Sequence, residues 1–458
     1  MKIWKIHEKK ITKHKSGITL VALVVTIVVL LILAGVSINL VLGNNGIIAK
    51  AKDAETKSAE ASQNDLKGMN GLVSEMEGAL AGNGSTGSGS GNGGAGGSGA
   101  DTKVPAEATA ETAPYFPDNT FTKKEGTIDT GLVIQDASGN EYVWVVVPKS
   151  LYNNTNYNSN NTKKPSSSTD YANIEYCLQQ YTATYRDDTD FSDVYYADTD
   201  NVGWFADATA YNNFKNSMLK SVYENGGFYV GRYEAGIETT GTNRTSNTDK
   251  NSDGKYTMPS TAPVTKADAY PYTCVTRTQA QNLASNVNSG TKTSSLMFGV
   301  QWNLVLAFMS KDTLKIISTD ILTKNSTTIG NYMDSTFQLS QTGKYAVYSS
   351  YSLSSTWNPS TKSTTNFVDS SRNKLAQSAG NGILVTTGTS EKNKVMNIYD
   401  VAGNVSEWTL EKTSDDSRPC AGRGGKYDVS GSYPLAAYRY ITYTHSANDT
   451  IGFRLSLW

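Results

Sequence analysis

Two carboxylates seven residues apart are the first candidates for chemistry in this sequence. Asp400 and Glu407 flank a short stretch in which Gly403 and Asn404 allow a tight turn. Ca²⁺ takes about six to eight oxygen ligands, and two carboxylates with the carbonyls of such a turn would suit it. The spacing therefore predicts a calcium site. The alternative is structural: Asp400 caps a turn and Glu407 pairs with an arginine such as Arg423.

A second calcium candidate lies earlier in the chain. Residues 249–254 (DKNSDG) match the first half of a calcium-binding loop. The position that should hold the bidentate Glu is Ser260, so a polar loop is the better interpretation.

Residues 426–451 combine aromatic with small polar side chains and contain no cysteine. Tyr supplies a large contact area at low entropy cost and small polar residues adapt to a partner, as in antibody binding loops. We therefore predict that residues 426–450 bind an extracellular glycan or protein without altering it. The predicted contacts are Tyr427, Tyr433, Tyr440, Tyr443 and His445. The alternative is a tyrosine-rich packed terminus, because Phe453, Leu455 and Leu457 alternate as in a core strand.

Arginines near this segment have a different expected role. Arg439 and Arg454 are predicted to brace the fold through carboxylates or carbonyls, since the guanidinium group makes strong charge-assisted hydrogen bonds.

The composition excludes several classes of function. The formal charge of −1 over 458 residues lacks the basic excess of a nucleic-acid-binding protein. Two of the three histidines lie in the first 17 residues, which leaves His445 alone and excludes a three-histidine metal centre within one chain. The three cysteines are far apart, so a thiolate zinc site is not expected and at most one internal disulfide can form. No catalytic residue is assigned.

The N-terminus contains the elements that would position these residues outside a membrane. Residues 1–17 hold six Lys against one Glu, and residues 18–38 are an almost wholly apolar run of 21 residues. Such a run can span a hydrocarbon core of about 30 Å. The basic flank predicts that the first residues stay in the cytoplasm. We expect a single-pass membrane protein whose C-terminal domain is extracellular, at the cell surface or in a pilus-like assembly.

Residues 15–20 (KSGITL) resemble the cleavage site of type IV prepilins and pseudopilins. The resemblance implies that a prepilin peptidase cuts between Gly17 and Ile18, and that a long helix continues beyond the membrane. The family usually has Glu at the fifth mature position, which helps to seat subunits in a pilus, whereas this chain has Ala22. Assembly into a long filament is therefore not implied.

The chain divides into a leader (1–17), a transmembrane pilin-like helix (18–42), a helical stalk (43–81), a linker (82–114) and a distal domain (115–458). The stalk is predicted because its apolar residues recur every three or four positions between 66 and 80. The linker is predicted to be flexible because ten of its first 18 residues are Gly.

The distal domain shows short strand-like segments between polar stretches. The predicted strands are 131–136, 141–147 and 227–233, the first two joined by a hairpin turn at 137–140. The predicted helices are 276–287 and 301–309. The stretches 150–215 and 238–262 are rich in Asn, Ser, Thr and Asp and are predicted to be long loops.

Six phrases of this domain, in order, resemble the formylglycine-generating enzyme (sulfatase-modifying factor) family. They are residues 139–144 (GNEYVW), 226–236 (GGFYVGRYEAG), 296–302 (LMFGVQW), 399–409 (YDVAGNVSEWT), 423–425 (RGG) and 451–454 (IGFR). The resemblance implies an α+β domain of C-type-lectin-like fold. It also implies a calcium ion held by the side chains of Asp400 and Glu407 and the carbonyls of Gly403 and Val405.

The family's chemistry does not carry over. Its active enzymes have two Cys between the last two phrases, which bind copper and attack the substrate thiol, whereas residues 426–451 here contain none. Its sulfoxide-synthase relatives hold iron with three His, whereas His445 is the single His after residue 17 in this sequence. We therefore expect a membrane-anchored, adhesin- or receptor-like binding protein with a catalytically silent domain. A formylglycine-generating oxidoreductase and a minor pilin or pseudopilin subunit are alternatives.

The tyrosine-rich end of the domain also resembles the variable region of proteins targeted by diversity-generating retroelements, which use the same lectin-like fold. Their variable positions favour residues such as Tyr, Ser, Asp, Thr and His. A diversified binding protein is a further alternative. The expected partners are a prepilin peptidase, the membrane and an extracellular glycan or protein, and no nucleic acid.

Overall fold

The computed structural model describes residues 108–186, 191–287, 289–312, 315 and 317–458. The predicted leader, transmembrane helix and stalk, with the cleavage site at Gly17 and Ile18, lie outside the described residues, as does the linker up to residue 107. Among the helices that are described, none is long and apolar enough to cross a membrane.

Short helices and many short strands make up the described part of the chain. The helices are α1 (Tyr171–Tyr181), α2 (Ala183–Arg186), α3 (Ala208–Asn225), α4 (Arg277–Ser285), α5 (Gly299–Met309) and α6 (Thr319–Thr323), with 3-10 turns at Lys149–Asn153 and Glu391–Asn393. The first ten strands are β1 (Thr122–Glu125), β2 (Val133–Gln135), β3 (Glu141–Val146), β4 (Phe191–Ser192), β5 (Gly227–Gly231), β6 (Gly236–Ile237), β7 (Tyr270–Pro271), β8 (Ser294–Ser295), β9 (Phe337–Gln338) and β10 (Lys344–Ser349). The others are β11 (Ser352–Pro359), β12 (Asn373–Lys374), β13 (Gly382–Val385), β14 (Lys394–Val395), β15 (Ile398–Tyr399), β16 (Ser406–Thr413), β17 (Cys420–Arg423), β18 (Arg439–Thr442), β19 (Ile451–Phe453) and β20 (Ser456–Leu457).

The largest sheet has the strand order β1-β2-β3-β5-β20-β8, and its neighbouring strands are antiparallel. The predicted hairpin is present as β2 and β3, and the predicted strand at 227–233 is β5. The hairpin turn forms because Asp136 Oδ1 accepts hydrogen bonds from the backbone N–H groups of Ser138 (2.9 Å) and Asn140 (2.8 Å).

The C-terminal strand β20 lies inside this sheet, between β5 and β8. Phe453, Leu455 and Leu457 are all fully buried. The alternation that the sequence shows at these residues therefore belongs to core strands, and the predicted binding segment ends just before them.

A second sheet carries most of the candidate site. Its order is β18-β17-β16-β19, and β4 pairs with the far end of β16. β16 runs parallel to β19 and antiparallel to β17, and β17 is antiparallel to β18. β18, which lies within the predicted binding segment, is therefore an edge strand.

Smaller sheets cover the remainder. β11, β10 and β13 form a three-stranded antiparallel sheet, and β9 with β12, β14 with β15, and β6 with β7 form pairs. Most buried apolar side chains belong to one large core, and two smaller clusters lie around β10 and β13.

The polar stretch 150–215 was predicted to be a loop, and the structure corrects this, because it contains α1, α2 and the start of α3. α1 buries Ile174, Cys177 and Leu178, which are three and four residues apart. α3 is capped at its start by the side chain of Asp207 and ends at Gly226, whose φ of 68° is left-handed. The spacing of the buried residues and the two helix-end residues are visible in the sequence, but the polar composition of the stretch favoured a loop prediction.

The predicted helices at 276–287 and 301–309 are present as α4 and α5. α4 begins with a capping box in which Thr276 and Gln279 exchange hydrogen bonds. All residues of α5 are buried. Its first N–H groups, on Gly299 and Val300, donate to the carboxylate of Asp193 at 2.7 and 3.0 Å.

The domain begins before residue 115, where the linker was predicted to end. Thr112 and Ala113 are buried. Thr112 Oγ1 donates to the Gly226 carbonyl (2.7 Å) and accepts from Trp144 Nε1 (2.8 Å). The last residues of the predicted linker are therefore part of the packed domain. The sequence predicted an α+β domain, and a mixture of helices and strands is confirmed for the described residues.

Candidate functional site

The turn between β15 and β16 places the predicted calcium ligands in the interior. Asp400, Gly403 and Asn404 adopt left-handed φ values of 57°, 76° and 59°. Gly403 is required there, because a Cβ would lie 2.4 Å from the Asn331 carbonyl oxygen. Asp400 and Glu407 are each 1% exposed. The turn therefore brings the two carboxylates, and Val405 between them, into one buried region.

Glu407 is held by Arg454, which follows β19. Arg454 Nε donates to both carboxylate oxygens of Glu407 at 3.1 Å, and Nη2 donates to Oε1 at 2.6 Å. The guanidinium also donates to the carbonyls of Gly231 (3.0 Å) and Tyr399 (2.8 Å). Arg454 thus joins β5, β15 and β16, which is the bracing role predicted for it.

Glu234 is a third buried carboxylate here, and the sequence interpretation missed it. Its oxygens accept from Asn404 Nδ2 (2.6 Å) and the Val405 N–H (3.2 Å). Burial, with the nearby charges of Asp400 and Glu407, raises the pKa of Glu234 well above its ordinary value. Burial also raises the pKa of Asp400 to about 6 and raises the pKa of Glu407, although Arg454 acts against both shifts.

Both predicted calcium carboxylates have partners within the protein. Asp400 Oδ2 accepts from the Gly388 N–H (2.8 Å), and Glu407 is ion-paired with Arg454. Within the described residues, no group of three or more His, Cys, Asp or Glu side chains is arranged to hold a metal ion. These contacts match the alternative in which Asp400 and Glu407 stabilise the fold, with Arg454 rather than Arg423 as the partner of Glu407. Calcium binding at Asp400, Gly403, Val405 and Glu407 stays a prediction.

Arg423 instead belongs to a second buried network. Its Nη1 lies 3.0 Å from Glu411 Oε2, and its Nη2 donates to Asn303 Oδ1 (2.7 Å). Arg439 Nε donates to the same Glu411 at 3.2 Å. Burial acts to raise the pKa of Glu411, but the two guanidinium groups outweigh it and hold that pKa below its ordinary value. Because Arg439 is on β18, this network fixes the edge strand to the core.

The predicted contact residue Tyr427 is buried, which contradicts a role in direct ligand contact. It is 0% exposed and packs with Tyr348, Leu384 and Val405. Its ring meets Tyr348 edge to face, with centroids 5.4 Å apart. Tyr427 therefore anchors the start of the segment against the β10–β13 sheet.

The other predicted contacts are at the surface. Tyr433, Tyr440 and Tyr443 are 65%, 41% and 46% exposed, and the side chain of His445 is 59% exposed. The rings of Tyr443 and His445 stack at 5.1 Å and 18°. We call these four side chains the tyrosine face.

Buried residues alternate with the tyrosine face along the chain. Arg439, Thr442 and Thr444 are each less than a tenth exposed. The Thr444 carbonyl accepts from Asn201 Nδ2 at 3.1 Å, and its hydroxyl donates to Asp200. The segment is therefore a fixed frame that presents aromatic side chains to solvent.

A narrow slot lies beside Tyr440, near a close approach of three strands at Gly422. Trp408, Gly422 and Tyr440 are cross-strand neighbours on β16, β17 and β18. A Cβ on Gly422 would lie 2.9 Å from Ile451 Cδ1 and 3.7 Å from Tyr440 Cβ. The slot has a volume of about 10 Å³, room for about one water molecule. Ser446, Asn448 and Thr450 also line it, so its rim is polar.

A larger pocket lies at the other end of the tyrosine face. Its volume is about 290 Å³, and its lining residues are Thr184, Thr323, Tyr433, Leu435, Ala437, Tyr438 and Arg439. We call it the Tyr433 pocket. Tyr438 was not among the predicted contacts, although it belongs to the same tyrosine-rich stretch.

The three cysteines are free and buried. Burial raises the pKa of Cys177, Cys274 and Cys420 to about 11 in each case. Since the thiolate is the reactive form, these thiols are poor nucleophiles at neutral pH.

The second calcium candidate is a polar loop in which Asp249 pairs with Arg244 at 2.6 Å.

Comparisons with known proteins do not assign a family. No protein-family model matches the sequence, and no curated protein does. Treponema denticola variable protein 1 is similar in structure with a TM-score of 0.26 and 14% identity, covering 50% of this chain and 84% of that one. A crystal structure of CarF has the same TM-score and identity, covering 58% of this chain and 95% of that one. Similarity at this level carries no conclusion about fold or function.

Proposed function

We propose that this protein binds an extracellular ligand through the tyrosine face and does not alter it. The observation that carries the proposal is the alternation within residues 433–445, where exposed aromatic side chains are separated by buried residues tied to the core. Rigid aromatic side chains on a fixed frame give contact area without a large ordering cost on binding. The leading contacts are Tyr440, which lines the slot, and Tyr443, which is exposed three residues further on.

The surroundings of the tyrosine face favour binding over catalysis. Formylglycine chemistry needs a reactive pair of thiols, whereas the segment 426–451 has none and the pKa of the nearest cysteine in sequence, Cys420, is raised by burial. Arg439 is committed to Glu411 and His445 is solvent-exposed beside Asp200. A domain with the C-type-lectin-like fold of the sulfatase-modifying-factor family that has lost the enzyme's thiols fits these features.

Display at a membrane completes the proposal. The apolar run at 18–38 would anchor the chain after cleavage between Gly17 and Ile18, and the Gly-rich linker would let the domain reach ligands away from the membrane. The signal is that of a prepilin, while Ala22 argues against incorporation into a long pilus. The support for this part is the sequence of residues 1–99 alone.

A diversified binding segment is the second candidate, and the same alternation favours it. The exposed positions 433, 440, 443 and 445 could change without disturbing the buried residues that hold the frame, since exposed substitutions rarely cost more than about 0.5 kcal/mol. A near-copy of the coding sequence for residues 426–450 beside a reverse-transcriptase gene would support it. A single fixed copy would contradict it.

The test of the proposal is a screen with full-length protein in detergent, against a glycan array and an array of purified surface proteins. We expect saturable binding to a small set of these ligands, with the bound ligand recovered at unchanged mass. A ligand released with altered mass would show catalysis and contradict the proposal. Conversion of a sulfatase-type Cys peptide to an aldehyde in the presence of copper would favour the enzyme alternative.

A further inference from the structure

Most polar side chains that line the Tyr433 pocket are paired with one another, with the backbone or with Glu411, and the exposed Thr184 also lines it. The hydroxyl oxygens of Tyr433 and Tyr438 lie 2.8 Å apart, and the two rings meet edge to face with centroids 4.8 Å apart. Thr323 Oγ1 donates to the carbonyl of Thr319 at 2.8 Å. Arg439 is held by Glu411, as described above. The tyrosine pair keeps one hydroxyl hydrogen for an occupant, so these side chains offer limited hydrogen bonding.

Apolar surface provides the remaining lining. Leu435 and Ala437 are half-buried and face the same pocket as the two tyrosine rings. An occupant therefore gains more from contact area here than from hydrogen bonds. A saccharide ring has several hydroxyl groups and would replace only part of its hydrogen bonds with water, which costs free energy for each hydroxyl left unpaired. An apolar or aromatic group has no such cost.

The loop that shapes the pocket is held at several points. The N–H groups of Ala436 and Ala437 donate to Ser326 Oγ and to the Leu322 carbonyl, both at 3.0 Å. The carbonyl of Ala436 accepts from Trp302 Nε1 at 3.1 Å. Because the loop is tied to α5 and α6 in this way, the pocket exists before any ligand arrives, and binding need not order it.

We propose that the Tyr433 pocket receives one aromatic side chain of a protein ligand, an inference that rests on the proposed function. Its volume of about 290 Å³ lies just below the range for ligand pockets, about 300–1,000 Å³, and suits a single large side chain. The edge-to-face tyrosine pair offers the geometry that a third ring prefers. Aromatic anchors in preformed pockets dominate many protein interfaces, so this pocket would select a protein over a glycan.

The experiment uses N-acetyl-tryptophanamide as the probe and saturation-transfer NMR on the full-length protein. The comparison probes are N-acetyl-alaninamide and methyl glycosides. We expect the tryptophan amide to bind wild-type protein, and Tyr433→Ala and Leu435→Gln each to weaken it at least tenfold. Tyr351→Ala is the matched control, because Tyr351 is 75% exposed and lies outside the pocket, and it should leave the affinity unchanged. Both pocket variants should keep the wild-type melting temperature within a few degrees.

Three results would overturn the inference. The first is equal binding of the tryptophan amide to wild type and to the folded pocket variants. The second is binding of methyl glycosides in place of the amide, with loss in the same variants. The third is no binding of any probe while the arrays still show ligand binding that depends on Tyr440. In the last two cases the proposed function stands and only the aromatic-anchor inference fails.

Discussion

The replacement of Arg454 by Met should destabilise the domain by about 3–5 kcal/mol. Arg454 is fully buried and provides the ion pair to Glu407 as well as hydrogen bonds to two carbonyls. Removing one partner of a buried pair leaves an uncompensated charge, which costs about this amount. Because domains are stable by only about 5–15 kcal/mol, the loss is a large fraction of the total. Met keeps most of the side-chain volume, so the effect reports charge and hydrogen bonding rather than a cavity.

The assay is urea unfolding of full-length protein at pH 7.5, followed by tryptophan fluorescence. Adding Glu407→Gln to the Met variant should recover part of the loss, because no unpaired charge is then left on Glu407. Arg418→Met is the matched control, since Arg418 is 45% exposed and its partner Asp415 is 31% exposed, and it should cost no more than about 1 kcal/mol. If the Arg454 variant is as stable as this control, or if the double variant is no better than the single one, the account of the buried pair is wrong.

Three other predictions address metal, pH and processing. Asp400→Ala should lower the melting temperature more in Ca²⁺ than in chelator, because a bound ion stabilises the folded state. Asp249→Ala should lower it equally in the two conditions. Equal losses for Asp400→Ala in both conditions would mean that Asp400 contributes only hydrogen bonds, and would contradict the calcium prediction. Burial and the nearby carboxylates of Glu411 and Glu175 raise the pKa of Asp193 to about 7, so the folded state binds a proton that the unfolded state has released. As the pH rises from 4 to 7, the contribution of Asp193 to the free energy of unfolding should fall by at most about 1.4 kcal/mol per pH unit. Urea titrations of Asp193→Asn should lack this pH dependence. The same pH dependence in wild type and variant would contradict the raised pKa of Asp193. N-terminal sequencing of membrane-extracted protein should begin at Ile18, and a start at Met1 or beyond residue 38 would refute cleavage after Gly17.

Local patterns explain which elements were predictable from the sequence. The β2–β3 hairpin follows from two apolar runs and a turn, and α4 from its period and its Thr276 cap. The helix α3 was missed because Asn, Ser and Thr are abundant among its residues, so composition outweighed the spacing of a few buried residues. The helix α1 itself holds one Asn and no Ser or Thr, but the Asn-, Ser- and Thr-rich residues 153–169 before it set the composition of the whole stretch.

The partners of the buried charges could not be predicted, because they depend on pairing between distant strands. Glu407 lies opposite Arg423 in the β16–β17 register, which makes Arg423 the natural expectation. The parallel strand β19 on the other side brings Arg454 to Glu407 instead, and Arg423 turns to Glu411. Local sequence contains no signal for that choice. The same limit applies to Glu234, which comes from 170 residues away to meet Asn404.

The binding segment was predicted from composition, which identifies a surface but not each of its members. Tyr433, Tyr440, Tyr443 and His445 are exposed as expected, while Tyr427 packs under the β10–β13 sheet.

The most direct test of the central claim is to measure ligand affinity with the tyrosine face altered. The ligand is the one selected by the arrays, and the proteins are wild type, Tyr440→Ala with Tyr443→Ala, and the control Tyr351→Ala. True contacts cost about 1–3 kcal/mol each, so the double variant should bind at least about 30-fold more weakly at an unchanged melting temperature, while the control binds like wild type. Unchanged affinity of the folded double variant would contradict the claim and would place the binding site elsewhere on the domain.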